Sequence, residues 1–175
     1  MNKYVAFLRA VNVGGHTIVK MTDLKQMFES LELENVQTYI QSGNVIYESD
    51  EDNTASLETQ IERQVEKVTG YKTQLFVRTI REVQAIANKS PFTAKTDQTV
   101  HVSFLKEKPD KKHQEALLTF KSDADDFAVK GREAYNLRLD RDKSFFSNNF
   151  IERILKLPGT TRNMTVIKKI AEKYK

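Results

Sequence analysis

Apolar residues along the chain change their spacing from segment to segment, and each change marks an element. Residues 3–11 form a nearly unbroken apolar run that ends at Asn12-Val13-Gly14-Gly15. A short run rich in Val and Phe predicts a strand buried on both faces. Leu24, Met27, Phe28 and Leu31 then recur at helical spacing behind Thr22, a residue type that caps helices. Residues 36–40 and 45–48 read as strands. An acidic stretch of Glu48, Asp50, Glu51 and Asp52 leads to Thr54, a second candidate cap. Leu57, Ile61, Val65 and Val68 make one helical stripe that Gly70 ends, and residues 73–78 read as a further strand. The resulting order, β-α-β-β-α-β, predicts a ferredoxin-like unit with two helices on one face of an antiparallel sheet. The first and third strands of such a sheet are central, so Arg9 and Asn44 are expected to approach each other.

A linking helix follows. Thr79-Ile80-Arg81-Glu82 has the form of a capping box, Val83, Ile86 and Ala87 supply an apolar stripe, and Ser90-Pro91 ends it. Residues 91–98 are polar and read as a boundary loop. Val100, Val102 and Phe104 then alternate with His101 and Ser103. Pro109-Asp110 opens a helix, and residues 127–129 and 135–139 suggest a hairpin around Lys130-Gly131. Ser147 caps a helix that Leu157-Pro158-Gly159 terminates. A last helix follows Thr160-Thr161-Arg162-Asn163. The second half thus reads β-α-β-β-α and then a helix where a strand is due. The expected fold is α+β, with two ferredoxin-like subdomains of which the second is degenerate and ends in a C-terminal helix. The expected boundaries are 1–78, a linking segment 79–98, and 99–175.

The stretch with the most chemistry is Thr38-Tyr39-Ile40-Gln41-Ser42-Gly43-Asn44-Val45-Ile46-Tyr47. β-formers flank a polar turn, so a hairpin presents amides and a hydroxyl. Gln41, Ser42, Gly43 and Asn44 either contact a polar ligand or satisfy one another and the turn backbone. Arg9, Asn12, Gly14 and Gly15 offer a guanidinium beside a glycine turn, a combination suited to phosphate or carboxylate. The structural alternative is a plain turn with Arg9 paired to a carboxylate such as Asp23. Asn12-Val13-Gly14-Gly15 matches neither a Walker loop nor a dinucleotide fingerprint. Thr161, Arg162 and Asn163, at an expected helix start, offer amides and a charge to an anion, or ordinary capping. Ser42 lacks the setting of a nucleophile elbow. His16, His101 and His113 lack metal-ligand spacing, so no metal site is expected, and no cofactor is indicated.

Composition adds limits. The chain has 175 residues and no cysteine, so neither disulfides nor thiolate metal sites are expected. No apolar run approaches the roughly 20 residues of a membrane helix, and the N-terminal run is too short for a signal sequence. A cytoplasmic protein without membrane association is expected. The net charge of +4 is mild, but residues 151–175 hold seven cations against two carboxylates and carry the whole excess.

The motifs Leu8-Arg9-Ala10-Val11-Asn12-Val13-Gly14-Gly15, Lys20-Met21, Asp23-Leu24 and Thr38-Tyr39-Ile40-Gln41-Ser42-Gly43-Asn44-Val45 resemble the signature of the bacterial domain of unknown function 1697 family. Thr161-Arg162-Asn163 resembles its C-terminal signature. The resemblance implies a cytoplasmic bacterial protein of two α+β subdomains and implies no activity. Ala10 departs from it where glycine is expected. Met164-Thr165 departs where an aromatic residue, a spacer and a threonine are expected.

Three functions follow as expectations from the residues. The first is binding, with or without turnover, of a small anionic or nucleotide-like ligand at a polar site between the subdomains. The second is an RNA or single-stranded nucleic-acid module, with Tyr39 and Tyr47 as stacking platforms and a basic C-terminal helix. No RNP-type run supports that second reading. A protein-interaction module is a third, without a hot-spot cluster to anchor it.

Overall fold

The computed structural model describes residues 1–9, 19–40 and 42–175. Asn12, Gly14, Gly15, His16 and Gln41 lie outside the described residues. The chain divides into two compact units, Met1–Gln84 with Ile170–Lys175, and Ala85–Lys169.

The first unit contains β1 (Asn2–Leu8), α1 (Met21–Glu29), β2 (Glu34–Tyr39), β3 (Asn44–Ser49), α2 (Thr54–Thr69) and β4 (Leu75–Thr79). Its sheet runs β2-β3-β1-β4 with every pairing antiparallel. Alternation along β1 sends Tyr4, Ala6 and Leu8 to one face, where they join Leu24 and Phe28 of α1 and Leu57, Ile61 and Val65 of α2. Val5 and Phe7, on the other face, are buried as well. A strand buried on both sides needs a near-continuous apolar sequence, which is what residues 3–8 supply.

The helix starts differ from the sequence expectation by one or two residues. Asn53, not Thr54, caps α2, its side chain accepting from Ala55 N at 3.0 Å and Ser56 N at 3.1 Å. At α1 the capping position is Lys20, with no side-chain cap, and Thr22 lies inside the helix. Gly70 closes α2 with φ of 76°, a left-handed conformation that costs glycine little.

The capping box forms as the sequence implies. Thr79 N donates to Glu82 Oε2 at 2.7 Å, and Glu82 N donates to Thr79 Oγ1 at 3.1 Å. It opens α3 (Ile80–Asn88), within which the division between the units falls. The second unit continues with β5 (Thr99–Leu105), α4 (Lys111–Leu118), β6 (Asp125–Lys130), β7 (Glu133–Arg138), α5 (Asn148–Leu155) and β8 (Gly159–Asn163). Its sheet runs β6-β7-β5-β8, also antiparallel. The last helix, α6 (Met164–Lys173), follows.

β8 corrects the expectation of a degenerate second half. Residues 159–163 pair with β5 from Leu105↔Gly159 to His101↔Asn163 and supply a fourth strand where the sequence predicts only a helix start. Thr160 and Thr161 are β-branched and favour a strand over a helical turn. The Thr161 hydroxyl also meets the Ser103 hydroxyl at 2.7 Å across the β5 pairing. The capping reading holds for Asn163 alone, whose Oδ1 accepts from Thr165 N at 2.9 Å. Among the described residues there are six helices and two four-stranded sheets. No described helix is long and apolar enough to cross a membrane.

Candidate functional site

The hairpin between β2 and β3 sits at the end of β1. Tyr39 pairs with Asn44, and Ile40 and Gly43 take φ of 49° and 75° to reverse the chain. Gly43 O accepts from Leu8 N at 2.8 Å, so the turn is hydrogen-bonded to the residue before Arg9. Arg9 in turn is fixed through its backbone. Its N donates to Gln74 O at 2.8 Å, and its O accepts from Thr73 Oγ1 at 2.9 Å. Arg9 is half-buried, as is Ser42.

Asn44 is fully buried opposite Phe7. Its Nδ2 donates to Tyr39 O at 3.0 Å and to Ser42 Oγ at 2.7 Å. A buried carboxamide without such partners would be costly, so Asn44 holds the turn together and orients Ser42.

The C-terminal residues reach this hairpin. Tyr174 is buried and meets the Tyr39 ring edge-on at 6.3 Å. Lys173 Nζ stands 5.5 Å from the Tyr39 ring centre and 5.2 Å from that of Tyr174. A Lys-Tyr-Lys terminus carries no periodic signal, so this packing escapes a reading of the sequence.

Tyr39 and Tyr47 do not form the stacking surface that nucleic-acid binding needs. Tyr47 is fully buried, stacked on Tyr4 at 5.7 Å and edge-on to Phe28 at 5.4 Å. Tyr39 is engaged by Tyr174.

Thr161 and Arg162 lie within β8, and Asn163 closes it. Thr161 Oγ1 donates to Asn148 Oδ1 at 2.8 Å. Arg162 is buried, its Nη1 donating to Thr160 Oγ1 at 2.8 Å and to Thr161 O at 3.1 Å. Burial lowers its pKa to about 10, so the guanidinium is still charged at neutral pH. Sequence reasoning missed its counterpart. Arg78 holds the fourth place of β4 as Arg162 does in β8, is fully buried, and donates from Nη1 to Val77 O at 3.0 Å. The signal was an arginine, a capping residue and a helix at the end of each unit: Arg78-Thr79-Ile80 and Arg162-Asn163-Met164.

A cleft of about 400 Å³ lies elsewhere, between α1 and α2, with Asp23, Gln26, Ser30 and Gln64 among its lining. Among its described lining residues, Asp23 alone is charged. A lone carboxylate repels anions, so this cleft does not suit the chemistry of the hairpin end. Among the described residues no cluster of His, Asp and Glu could hold a metal ion.

In a comparison of folds, the chain is similar to a structure described as that of conserved bacterial protein SP0830 from Streptococcus pneumoniae. The TM-score is 0.72 at 22% identity, over 98% of this chain and 97% of that one. The likeness is one of fold. No curated protein matches the chain. The family described as Protein of unknown function (DUF1697) matches residues 1–135, a span that holds Arg9 and the hairpin and stops short of Thr161-Arg162-Asn163. With that match covering well over half its length, the chain belongs to the DUF1697 family.

Proposed function

We propose that this protein binds a small anionic ligand, a phosphate- or carboxylate-bearing metabolite or nucleotide, at the hairpin end of the first sheet. The single observation that carries the reading is the Leu8 N to Gly43 O hydrogen bond, at 2.8 Å. It sets the residue after Leu8, the half-buried Arg9, beside the Ser42-Gly43-Asn44 turn. A guanidinium beside a turn of amides and a hydroxyl suits planar or tetrahedral oxyanions. The proposal rests on the first unit. Thr161, Arg162 and Asn163 serve the strand pairing and cap of the second, and Asn12, Gly14, Gly15 and Gln41 lie outside the described residues. We read both units as ferredoxin-like and the protein as cytoplasmic. The burial of Tyr47 counts against the nucleic-acid reading.

The test is a thermal-shift series at physiological salt with inorganic phosphate, adenosine monophosphate, citrate and a short single-stranded RNA. A ligand that binds only the native state stabilises it by about 2.7 kcal/mol at about 100 times its Kd. The expected outcome is a rise in Tm with a phosphate- or carboxylate-bearing compound that Arg9→Ala abolishes and Arg9→Lys reduces. An equal rise in Arg9→Ala would refute the site. A rise with RNA alone, erased by salt, would replace the reading with the nucleic-acid one.

A further inference from the structure

The helix-covered face of the second sheet carries polar side chains where apolar ones would pack. Across β6, β7 and β5 the register sets Asp125 against Arg138, Arg138 against Thr99, and Asn136 against His101. Phe127 and Ala134, on the same face, belong to the apolar core beneath α4 and α5. Asp125 and Asn136 are fully buried. Asn136 Nδ2 donates to Asp125 Oδ1 at 2.8 Å, and Ser144 Oγ donates to the same oxygen at 2.8 Å. Asp125 Oδ2, Arg138 Nε and Thr99 Oγ1 are nevertheless buried without a hydrogen-bond partner, and the paired residues His101 and Asn136 interact without a well-formed bond between His101 Nδ1 and Asn136 Oδ1. A folded chain leaves few polar atoms in that state, because each forfeits its hydration for nothing in return. Such atoms gathered on adjacent strands set this end of the sheet apart from the apolar core beside it.

Residues 139–146 roof this row. Their start is tied to Ala124, just before β6, and their turn is tied internally. Leu139 N donates to Ala124 O at 2.8 Å, Ser144 N to Asp140 O at 2.9 Å, and Phe146 N to Ser144 Oγ at 3.2 Å. Beyond that start, two latches hold the roof down. One is the Ser144 hydroxyl on Asp125. The other is Phe146, whose ring packs 5.1 Å from the His101 ring and 5.8 Å from the Arg138 guanidinium, while its O accepts from Arg138 Nη2 at 3.3 Å. Phe145, beside the second latch, is exposed.

We propose that residues 139–146 are a releasable cover over a second polar site, floored by Asp125, Asn136 and Arg138, and that protonation of His101 opens it. The floor offers carboxylate and carboxamide oxygens beside a guanidinium. That chemistry takes a small molecule with both donors and acceptors, such as an amide or an amino acid. Protonated His101 places a second cation against Arg138 and a charge beneath a cover that keeps it from water. The charged groups acting on His101 are Arg138 from β7 and Asp125 from β6. Asn136 from β7 and Asn163 from β8 face it as neutral partners, and the cover brings the Phe146 ring. The cover's own Asp140 is turned to Asp142 N at 3.0 Å and to Lys143 Nζ at 3.8 Å. Burial, and then the Arg138 charge, hold the His101 pKa below its ordinary 6.5, against the opposing pull of Asn136 and Asp125. The closed state therefore favours neutral His101. Its stability is complete above pH 6.5 and falls as pH drops through the lowered value.

The test is an NMR titration of the full chain from about pH 8 to about pH 5, which spans the ordinary range of histidine. It follows the His101 imidazole, the amides of Ser144 and Phe146, and their hydrogen-exchange protection. The expected result is a His101 midpoint below 6.5, with the cover signals moving at that midpoint. The cover amides should then lose protection by about tenfold or more relative to the sheet. His101→Gln should remove the step. Ser144→Ala, which cuts one latch, should raise the His101 midpoint toward 6.5, because opening and protonation are linked. This second variant decides the matter if His101→Gln does not fold. A His101 midpoint at or above 6.5, a cover unmoved through the titration, or an unchanged midpoint in Ser144→Ala would each overturn the proposal.

Discussion

Two tyrosines stacked on each other in the first core carry opposite debts. Tyr4 donates its hydroxyl to Glu51 O at 2.8 Å, whereas the Tyr47 hydroxyl is buried without a partner. Burial also drives the Tyr47 phenol pKa well above its usual 10.0, so the group stays protonated and its donor stays unused. An unsatisfied buried hydroxyl costs about 1–3 kcal/mol, and removing it leaves the ring packing intact. Tyr47→Phe is therefore expected to stabilise the protein by about 1 kcal/mol, and Tyr4→Phe to destabilise it by about the same amount. Equilibrium urea unfolding of the two variants checks this. Equal signs would show that the two hydroxyls do not differ in the way their surroundings imply. The buried arginines follow the same logic with higher stakes. Arg78 and Arg162 each turn a guanidinium hydrogen bond onto the carbonyl just before them, one of the contacts that offset the burial of the charge.

At the scale of elements, caps decide where helices begin, and they separate what the sequence reveals from what it hides. Asn53 carries two amide hydrogen bonds of α2, while Thr54 is already helical. Asn53→Ala is expected to cost about 1 kcal/mol and Thr54→Ala no more than a few tenths. Thermal unfolding of both single variants measures the difference, and a larger loss in Thr54→Ala would contradict the assignment. Strands with long apolar runs, helices with full stripes and the Thr79-Glu82 box are legible in the sequence, because each rests on a local pattern. β8 is not. Thr, Arg and Asn serve strand and cap alike, and the pairing that decides between them comes from β5, more than fifty residues earlier. The end of β1 beside the Gly43 turn is legible from strand order alone. The Tyr174 contact and the polar row under residues 139–146 are not, because they join residues distant in sequence whose types are ordinary taken singly.

At the scale of the whole molecule, the two units repeat one order of strands and helices, and the division between them runs through α3 and α6. The terminal residues Ile170–Lys175 belong with the first unit, although the start of α6 belongs with the second. Tyr174 is one residue that ties them there. Its ring is buried and meets Tyr39, the residue whose carbonyl anchors Asn44 in the hairpin. Deleting a buried aromatic side chain costs about 3–5 kcal/mol where the site cannot collapse, and an edge-on aromatic pair contributes about 0.5–1.5 kcal/mol of that. Tyr174→Ala is expected to lower stability by about 3 kcal/mol, a loss large enough to lower Tm by several degrees in a chain of this size. Tyr39→Ala should cost less than additively in the double variant, with a coupling of about 1 kcal/mol. Because the Tyr39 carbonyl is a backbone group, Tyr174→Ala should also loosen the turn without removing any polar group from it. Hydrogen exchange at Leu8 N, whose acceptor is Gly43 O, reads that loosening directly. Faster exchange at Leu8 in Tyr174→Ala, with the β1 to β4 pairing still protected, would link the C-terminus to the proposed ligand site. Unchanged exchange would confine Tyr174 to packing.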